Sequence, residues 1–236
     1  CATAIYGCMD PLSYNYDPTA TLNYACDYGM TYVPDNNFEQ ALIDLGIDTD
    51  STLNDSVATA NIRFVPSLNV NYNNIADLTG IEDFDSLQTL YCYNNQLSSL
   101  DVSQNTALTY LYCGSNQLNT LDLSNNTALY RLQCQNNQLT SLDLRNGNNM
   151  NIYLGSSYYF NLTNNPQLYC IDVDDATYST ANWTVANGNI SWWNSFSNNC
   201  ATAIYGCMDP LAYNYTPMAT FNYGCNYGMT YVPDNN

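Results

Sequence analysis

The apolar positions in the middle of the chain recur every 21 residues. Residues 87–107, 108–128 and 129–149 read LQTLYCYNNQLSSLDVSQNTA, LTYLYCGSNQLNTLDLSNNTA and LYRLQCQNNQLTSLDLRNGNN, so each copy follows LxxLxCxxNxLxxLDΦ, with Φ Val or Leu. Apolar residues alternate with polar ones around Leu90 and Cys92, which predicts a half-buried strand. The alternation at 100–102 predicts a second short strand in each coil.

Less regular copies of this pattern flank the three clear ones. A degenerate copy follows at 150–170 and ends LTNNPQLYC. An upstream copy keeps the same spacing of apolar residues and one Asn at Leu68, Val70, Asn73, Ile75, Leu78, Ile81 and Phe84. Successive copies should stack as coils, with parallel strands about 4.8 Å apart. Because each coil buries its apolar face only against its neighbours, several coils are needed for stability.

The repeat resembles the leucine-rich repeats of bacterial surface proteins, in particular the 21-residue, cysteine-containing repeats of internalin-like adhesins. The resemblance rests on three copies with matching Leu, Cys and Asn. It implies a β-rich leucine-rich repeat solenoid with parallel strands. The segments VPDNNFEQALIDLGID and GCMDPLSYNYDPTA are similar to parts of secreted Bacteroidetes tandem-repeat proteins, which implies a secreted, cell-surface protein.

Both ends of the solenoid are expected to carry caps. Residues 35–46, DNNFEQALIDLG, place apolar residues from Phe38 to Leu45 on one helical face, with polar capping residues before them and Gly46 as the C′ residue. The other end carries three tryptophans, Trp183, Trp192 and Trp193. We expect them to cover the last coil, and a sugar-binding aromatic platform is the alternative.

The first 37 residues return almost unchanged at 200–236. The two copies differ at six positions and are identical at 31 of 37, at an offset of 199 residues. We interpret this as a tandem array with a 199-residue unit, and two small modules flanking one central domain are the alternative. The predicted domains are a disulfide-clasped linker module (1–29), a leucine-rich repeat domain (30–199, with N-cap 30–64, coils 65–170 and C-cap 171–199), and a second linker module with the start of the next unit (200–236).

Ten cysteines divide into three groups. Modules of about 30 residues cannot build a sufficient core, so each end module is expected to need a disulfide. The expected pairs, including one that staples the C-terminal cap, are Cys8–Cys26, Cys170–Cys200 and Cys207–Cys225. Cys1 occupies the place of Cys200 one unit earlier, so its expected partner lies in a preceding unit. Disulfides of this kind predict a compartment outside the cytosol.

Two polar or reactive residue types recur at inward stations of the coils. Cys92, Cys113 and Cys134 share one ladder, where parallel side chains point the same way and have poor geometry for a disulfide. We interpret them as buried free thiols that act as small hydrophobes, because Cys without His at this spacing matches no zinc pattern. A buried ladder of amides that bond the backbone of the adjacent coil is expected at Asn95, Asn116 and Asn137.

The exposed stations beside the cysteine ladder are rich in tyrosine. The candidate binding residues are Tyr91, Tyr93, Tyr110, Tyr112, Arg131, Gln133 and Gln135, which we call the tyrosine face. Tyr91 and Tyr112 should stack in one column that ends at Gln133. Such a composition is typical of surfaces that bind a protein or glycan. The alternative is a set of cross-strand contacts that stiffens the sheet.

Charge excludes several classes of function. The chain has 21 acidic residues, three arginines, no lysine and no histidine, for a net charge of −18. Three cations cannot neutralise a nucleic-acid backbone, and an anionic membrane surface would repel the chain. The commonest general base and metal ligand is missing, so we expect no catalytic site and no enzyme. No run approaches the length of a membrane span.

Few ligands or modifications suit this composition. Calcium is the one candidate cofactor, because acidic secreted proteins use carboxylate and amide oxygens as ligands, and Asp10 with Asn15 is a weak candidate site. The short Asp-Ser pattern of Bacteroidetes O-glycosylation predicts modification at Ser51, Ser56 and Ser86.

These observations predict a structural and adhesive unit of an extracellular tandem-repeat fibre or surface filament, whose partners are neighbouring copies of itself. The alternative is a recognition module that binds a protein or glycan on its Tyr-rich sheet. A further alternative is non-covalent polymerisation, in which residues 200–236 dock on the next subunit in place of its own 1–37.

Overall fold

Short parallel strands, stacked coil upon coil, organise the centre of the chain. The computed structural model describes residues 4–154, 158–202, 204–219, 221–222 and 224–227. Its strands are β1 (Tyr6–Gly7), β2 (Leu22–Asn23), β3 (Met30–Tyr32), β4 (Ser56–Ala58), β5 (Ser67–Asn69), β6 (Thr89–Tyr91), β7 (Tyr110–Tyr112), β8 (Thr120–Asp122), β9 (Arg131–Gln133), β10 (Ser141–Asp143), β11 (Phe160–Asn161), β12 (Cys170–Asp172), β13 (Ser195–Ser197), β14 (Tyr205–Gly206) and β15 (Phe221–Asn222). Its helices are α1 (Asn36–Asp44), α2 (Thr59–Ile62) and α3 (Ala176–Asn182), and 3₁₀ turns lie at Ile81–Asp83, Asn149–Asn151 and Cys200–Thr202.

Two parallel sheets form the solenoid. The first has the order β11-β9-β7-β6-β5 and the second has the order β13-β12-β10-β8. In the first sheet Leu90 pairs with Leu68 on one side and Leu111 on the other, and Leu111 pairs with Leu132. This register confirms the 21-residue stacking, because residues at one station of the repeat become neighbours across the sheet.

The second strand is absent from the first clear coil. Residues 100–102 form no strand, whereas the corresponding residues of the next two coils form β8 and β10. The prediction of a second strand in every coil was therefore wrong for residues 87–107. The preceding coil forms the 3₁₀ turn Ile81–Asp83 at the corresponding position, so it offers no strand with which residues 100–102 could pair.

Asparagine amides join each coil to the one before it; Asn116 and Asn137 are buried as expected, whereas Asn95 is only half-buried, which corrects the expectation for that residue. The Nδ2 atom of Asn95 donates to the carbonyl of Val70 at 2.8 Å, and Asn116 donates to Cys92 at 2.9 Å. Asn137 repeats the contact on Cys113 at 3.1 Å. The Oδ1 atom of each accepts a backbone N–H, as Asn116 does from Leu97 at 3.1 Å. These bonds pair backbone groups that would otherwise be buried without partners.

The residue before each of these asparagines turns the chain through the left-handed region. Asn94, Ser115 and Asn136 have φ of 56°, 53° and 57°. Asn tolerates this conformation better than most residues, because its short polar side chain bonds locally. The pair at this position, Asn-Asn in two coils and Ser-Asn in the other, therefore has two roles: the first residue makes the turn and the second donates the amide that joins the coils.

A second amide ladder lies elsewhere in the coils, and the sequence analysis missed it. Buried Asn105 donates to the carbonyl of Ile81 at 2.8 Å, and buried Asn126 donates to Val102 at 3.0 Å. The signal was present in the recurring SQNTA and SNNTA segments, which place Asn105 and Asn126 one repeat apart.

The N-cap holds α1 against the first coil, as the sequence predicted. One oxygen of Asp35 accepts from the N–H groups of Asn37 and Phe38 at 2.9 and 3.0 Å, which caps the helix. The other accepts from Ala76 and Asp77 at 2.8 and 3.0 Å. A single carboxylate therefore fixes both the start of the helix and its position on the solenoid.

The C-cap uses only part of the tryptophan segment. Trp183 is buried between Phe160 and Phe196, with ring centroids 4.7 and 5.4 Å away. The indole N–H of Trp193 donates to the carbonyl of Asn165 at 3.2 Å. Trp192 is 80% exposed, so the expectation that all three tryptophans cover the core was wrong for this residue.

Among the described residues three disulfides are formed, and they are pairs expected from the sequence: Cys8–Cys26, Cys170–Cys200 and Cys207–Cys225. Cys92, Cys113 and Cys134 are free and fully buried. Cys1, whose partner was expected in a preceding unit, lies outside the described residues.

Candidate functional site

The tyrosine face lies on β6, β7 and β9 of the first sheet. Parallel pairing places Tyr91 beside Tyr112, and Tyr112 beside Gln133. The rings of Tyr91 and Tyr112 are stacked, with centroids 4.8 Å apart and an interplanar angle of 5°. The structure therefore brings together the column that the repeat spacing predicted.

Tyr112 is not an exposed residue of this face. Only 7% of its surface is accessible, which corrects the expectation that it forms part of an open station. It lies between Tyr91 and Gln133 in the sheet. Burial raises the pKa of Tyr112 above its ordinary value. Tyr112 therefore supports the ring of Tyr91 and offers little surface to a ligand.

Arg131 is enclosed by tyrosines of its own chain. Its guanidinium carbon lies 4.2 Å from the ring centroid of Tyr159 and 4.6 Å from that of Tyr110. The rings of Tyr130 and Tyr153 lie 5.7 and 5.6 Å away. These distances are within the range of cation–π attraction. These tyrosine rings therefore contact Arg131 of their own chain, which leaves little of their surface for a ligand.

Gln133, Gln135 and Tyr93 of the tyrosine face border a shallow depression. Gln133 donates through Nε2 to the carbonyl of Tyr158, and the ring of Tyr93 meets that of Tyr72 edge-on, with centroids 5.6 Å apart. Gln135 packs over Gly114, where an added Cβ would lie 2.9 Å from its Cδ. The open depression, of ≈ 610 Å³, is lined by Asn69, Asn71, Tyr72, Tyr91, Tyr93, Tyr112, Gln133, Gln135, Tyr158 and Asn161.

A second candidate region lies where the N-terminal module meets the solenoid. Arg63, whose side chain is 6% exposed, lies 3.3 Å from the carboxylate of Asp10 and 2.8 Å from that of Asp85. Its guanidinium carbon is 3.9 Å from the ring centroid of Tyr28, and the Tyr28 hydroxyl donates to Asp10 at 2.7 Å. Arg63 therefore anchors the module through both an ion pair and an aromatic contact.

The electrostatics of this anchor favour ionised Asp10. The backbone N–H of Leu12, the Tyr28 hydroxyl and the Arg63 guanidinium together hold the pKa of Asp10 below its ordinary value of 3.8. The bond to Asp10 raises the pKa of Tyr28 above 10.0. At neutral pH the module therefore presents a carboxylate and a neutral phenol to the arginine.

The C-terminal module repeats the internal bonds of the N-terminal one. Tyr227 donates to Asp209 at 2.7 Å, as Tyr28 does to Asp10. Asn214 bonds the carbonyl of Gly224 at 2.6 Å, the distance found between Asn15 and Ala25. The modules thus share geometry as well as sequence.

The structure also shows the surroundings of the weak calcium site and the exposure of the predicted glycosylation sites. Asn15 uses both side-chain atoms within the module, because Nδ2 donates to Ala25 and Oδ1 accepts from Asp27. Within the described ranges, no group of three His, Cys, Asp or Glu residues is arranged to hold a metal ion. Ser51 is exposed, whereas Ser56 and Ser86 are half-buried.

The three free thiols lie in an environment that keeps them protonated. Burial raises the pKa of Cys113 to about 12. Burial also raises the pKa values of Cys92 and Cys134 well above 9.0, and repulsion from Cys113 adds to that increase. Protonated, inaccessible thiols are poor nucleophiles and poor metal ligands. Separately, none of the helices in the described part of the chain is long and apolar enough to cross a membrane.

Comparison with known proteins gives structural similarities only. No family model and no curated protein sequence matches the chain. Among solved structures, the functional domain of InlJ from Listeria monocytogenes, described as including a cysteine ladder, is 27% identical, with a TM-score of 0.43 over 61% of this chain and 38% of that one. The internalin InlF from the same species is 24% identical, with a TM-score of 0.44 over 60% and 44%. The chain thus spans less than half the length of either structure.

Proposed function

We propose that the chain is a non-enzymatic structural unit of an extracellular fibre whose partners are copies of itself. The observation that carries this proposal is the pair of end modules. They are identical at 31 of 37 positions and form the same internal bonds, and the N-terminal one is anchored on the solenoid through Arg63. A unit with the same connector at both ends can be joined to further units head to tail.

The architecture of the unit suits a load-bearing element. The apolar stations of successive coils form one continuous core, and each coil is tied to its neighbours by strand pairing and by buried amides. The Cys170–Cys200 disulfide closes the C-cap, where tension on the chain ends would otherwise begin to separate it from the last coil. Three disulfides are typical of proteins outside the reducing cytosol.

Composition further supports an exposed, durable role. A net charge of −18 keeps neighbouring units soluble. The chain has three arginines and no lysine, so it offers few sites to trypsin-type proteases, and the side chain of Arg63 is buried.

Electron microscopy of the native material, together with a denaturing non-reducing gel, tests this proposal. The proposed function predicts long threads with a regular spacing of beads. A band far above 26.4 kDa would mean that the units are covalently continuous, and a band at 26.4 kDa would mean that separate chains dock. Isolated globules would contradict the proposed function.

Recognition of a glycan or protein on the tyrosine face is a second candidate function. The depression beside stacked Tyr91 and Tyr112 favours it, because aromatic rings flanked by Asn and Gln amides provide both an apolar platform and hydrogen-bonding groups. A panel of immobilised glycans and surface proteins tests it with wild type, with Tyr91→Ala, and with Tyr32→Ala as a control at an exposed tyrosine outside the face. Binding that only Tyr91→Ala loses would support recognition, and absence of wild-type binding would argue against it.

A further inference from the structure

The loop that follows α1 contains a carboxylate that the fold buries without a partner. Asp48 is 4% exposed, and its backbone N–H donates to the carbonyl of Leu42 at 3.1 Å, which fixes it at the end of the helix. Its Oδ1 atom accepts from the backbone N–H of Asp50 at 3.3 Å, whereas its buried Oδ2 atom has no hydrogen-bond partner among the described residues. Because buried carboxylates in folded proteins are paired with a cation or bound to a metal, this oxygen requires an explanation.

The side chains of this protein supply no cation for Asp48. The chain has three arginines, no lysine and no histidine. Arg63 and Arg145 pair with other aspartates, and Arg131 lies among tyrosine rings. Burial, and to a lesser degree repulsion from the carboxylates of Asp50 and Glu39, raises the pKa of Asp48 above its ordinary value of 3.8. An ionised Asp48 therefore needs a cation from outside the chain.

Oxygen-bearing side chains recur at every second residue after Asp48. Asp50, Thr52 and Asn54 occupy these positions and are exposed. The Oδ1 atom of Asp50 accepts from the N–H and the hydroxyl of Thr52 at 3.0 and 3.1 Å, and its Oδ2 atom accepts from Nδ2 of Asn54 at 2.7 Å. Calcium binds carboxylate, amide and backbone oxygens together, and its binding loops present them at alternate positions. The oxygens of residues 48–54 are thus of the types that calcium uses.

Both ends of this loop are held on α1. Glu39, which is fully buried, accepts through Oε1 from the backbone N–H groups of Asn54 and Ser56 at 2.8 and 3.2 Å. Its Oε2 atom accepts from the N–H of Asp55 at 3.2 Å. Glu39 therefore holds the end of the loop and leaves Asp48 as the buried carboxylate with an unused oxygen. A loop fixed at both ends loses little conformational entropy when it binds an ion.

We propose that residues 48–54 bind a calcium ion through the carboxylates of Asp48 and Asp50. Neutral oxygens of the loop and water complete the coordination. The ion compensates the buried charge and holds the loop on α1, so that calcium stabilises the N-cap of the solenoid. Because the site has only two carboxylates, we expect a Kd on the order of 10⁻⁴ to 10⁻³ M, as in extracellular calcium modules.

NMR titration of the full chain with CaCl₂ tests the site. We expect the backbone N–H signals of residues 48–54 to shift with a single saturating curve in this range of Kd. Asp48→Asn and Asp50→Asn keep the size of the side chain and should each weaken binding at least about tenfold. Asp101→Asn removes a charge from another exposed aspartate and should leave the curve unchanged. Asp10→Asn should do the same, because Asp10 belongs to the N-terminal module.

Thermal unfolding distinguishes calcium binding from a purely structural role of Asp48. About 10 mM CaCl₂ should raise the Tm of the wild type by at least about 2 °C relative to NaCl of equal ionic strength. Without calcium, Asp48→Asn should be at least as stable as the wild type, because it removes an uncompensated buried charge and keeps the Oδ1 acceptor. With calcium, the variant should gain no stability. Equal destabilisation of the variant with and without calcium would contradict the site.

The remaining outcomes are equally decisive. Absence of loop shifts up to about 20 mM CaCl₂ would overturn the proposal, since this concentration far exceeds the expected Kd. Undiminished binding in folded Asp48→Asn and Asp50→Asn would also overturn it, because it would show only diffuse attraction of calcium to an acidic chain. If Asp48→Asn fails to fold, Asp50→Asn provides the test alone, because Asp50 is exposed.

Discussion

Arg63 and Asp10 are 53 residues apart in sequence and belong to different parts of the molecule, yet their side chains lie 3.3 Å apart. The arginine sits at the N-cap of the solenoid and the aspartate in the disulfide-clasped module. With Tyr28 and Asp85, they convert a small, largely exposed module into one that is fixed on the solenoid.

The first prediction concerns the pH dependence of that anchor. Since the folded-state pKa of Asp10 is depressed, its contribution to stability is present above about pH 3.8 and is lost as pH falls through the lower folded-state pKa. NMR titration of the Asp10 carboxyl carbon should give a midpoint below 3.8. In the Arg63→Met variant the midpoint should move upward, because one of the interactions that lower it is gone. Equal midpoints in the two proteins would argue against the ion pair.

Buried amides should make a large contribution to stability. Asn116→Ala leaves the N–H of Leu97 without its side-chain acceptor and removes one of the two amide donors from each of the carbonyls of Cys92 and Cys113. We expect a loss of about 2–4 kcal/mol in the free energy of unfolding, measured with urea. Asn125→Ala removes an exposed amide from the same coil and should cost less than about 0.5 kcal/mol. Similar losses in both variants would contradict the role assigned to the ladder.

The left-handed turns offer a reciprocal pair of substitutions. Ser115 adopts a φ of 53° at a station that Asn occupies in the neighbouring coils. Ser115→Asn should therefore stabilise the protein by roughly 0.3–1 kcal/mol, and Asn136→Ser should destabilise it by a similar amount. Thermal unfolding followed by circular dichroism measures both. Changes of the same sign in the two variants would contradict this explanation.

The free thiols should be unreactive in the folded protein. Cys92, Cys113 and Cys134 are inaccessible, so iodoacetamide at about pH 8 should label them only after unfolding, as mass spectrometry would show. Because burial raises the pKa of Cys113 to about 12, stability should fall as pH rises from about 9 toward 12, where the unfolded thiol ionises first. Labelling of the native protein at the rate of a free thiol would show that the ladder opens.

The fold could be predicted from sequence because its repeat is local and regular. Once Leu90, Cys92 and Asn95 recur every 21 residues, stacking and register follow from the geometry of parallel strands. The capping helix was equally accessible, because Asp35 and Gly46 mark its ends. Asn105 and Asn126 could have been found by the same reasoning.

The functional surfaces were harder to predict because they depend on contacts between different repeats. The enclosure of Arg131 depends on Tyr153 and Tyr159, which lie in the degenerate coil, where the period gives no register. The contact of Arg63 with Asp10 joins two segments that share no pattern. Periodicity predicts which residues share a station, but it does not predict where the ends of a solenoid meet another module.

A cryo-electron microscopy map of the native thread, at side-chain resolution, tests the central claim most directly. The account predicts solenoids in single file, each joined to the next through one clasped module. Solenoids joined instead through their tyrosine faces, with the clasped modules outside the junctions, would contradict it.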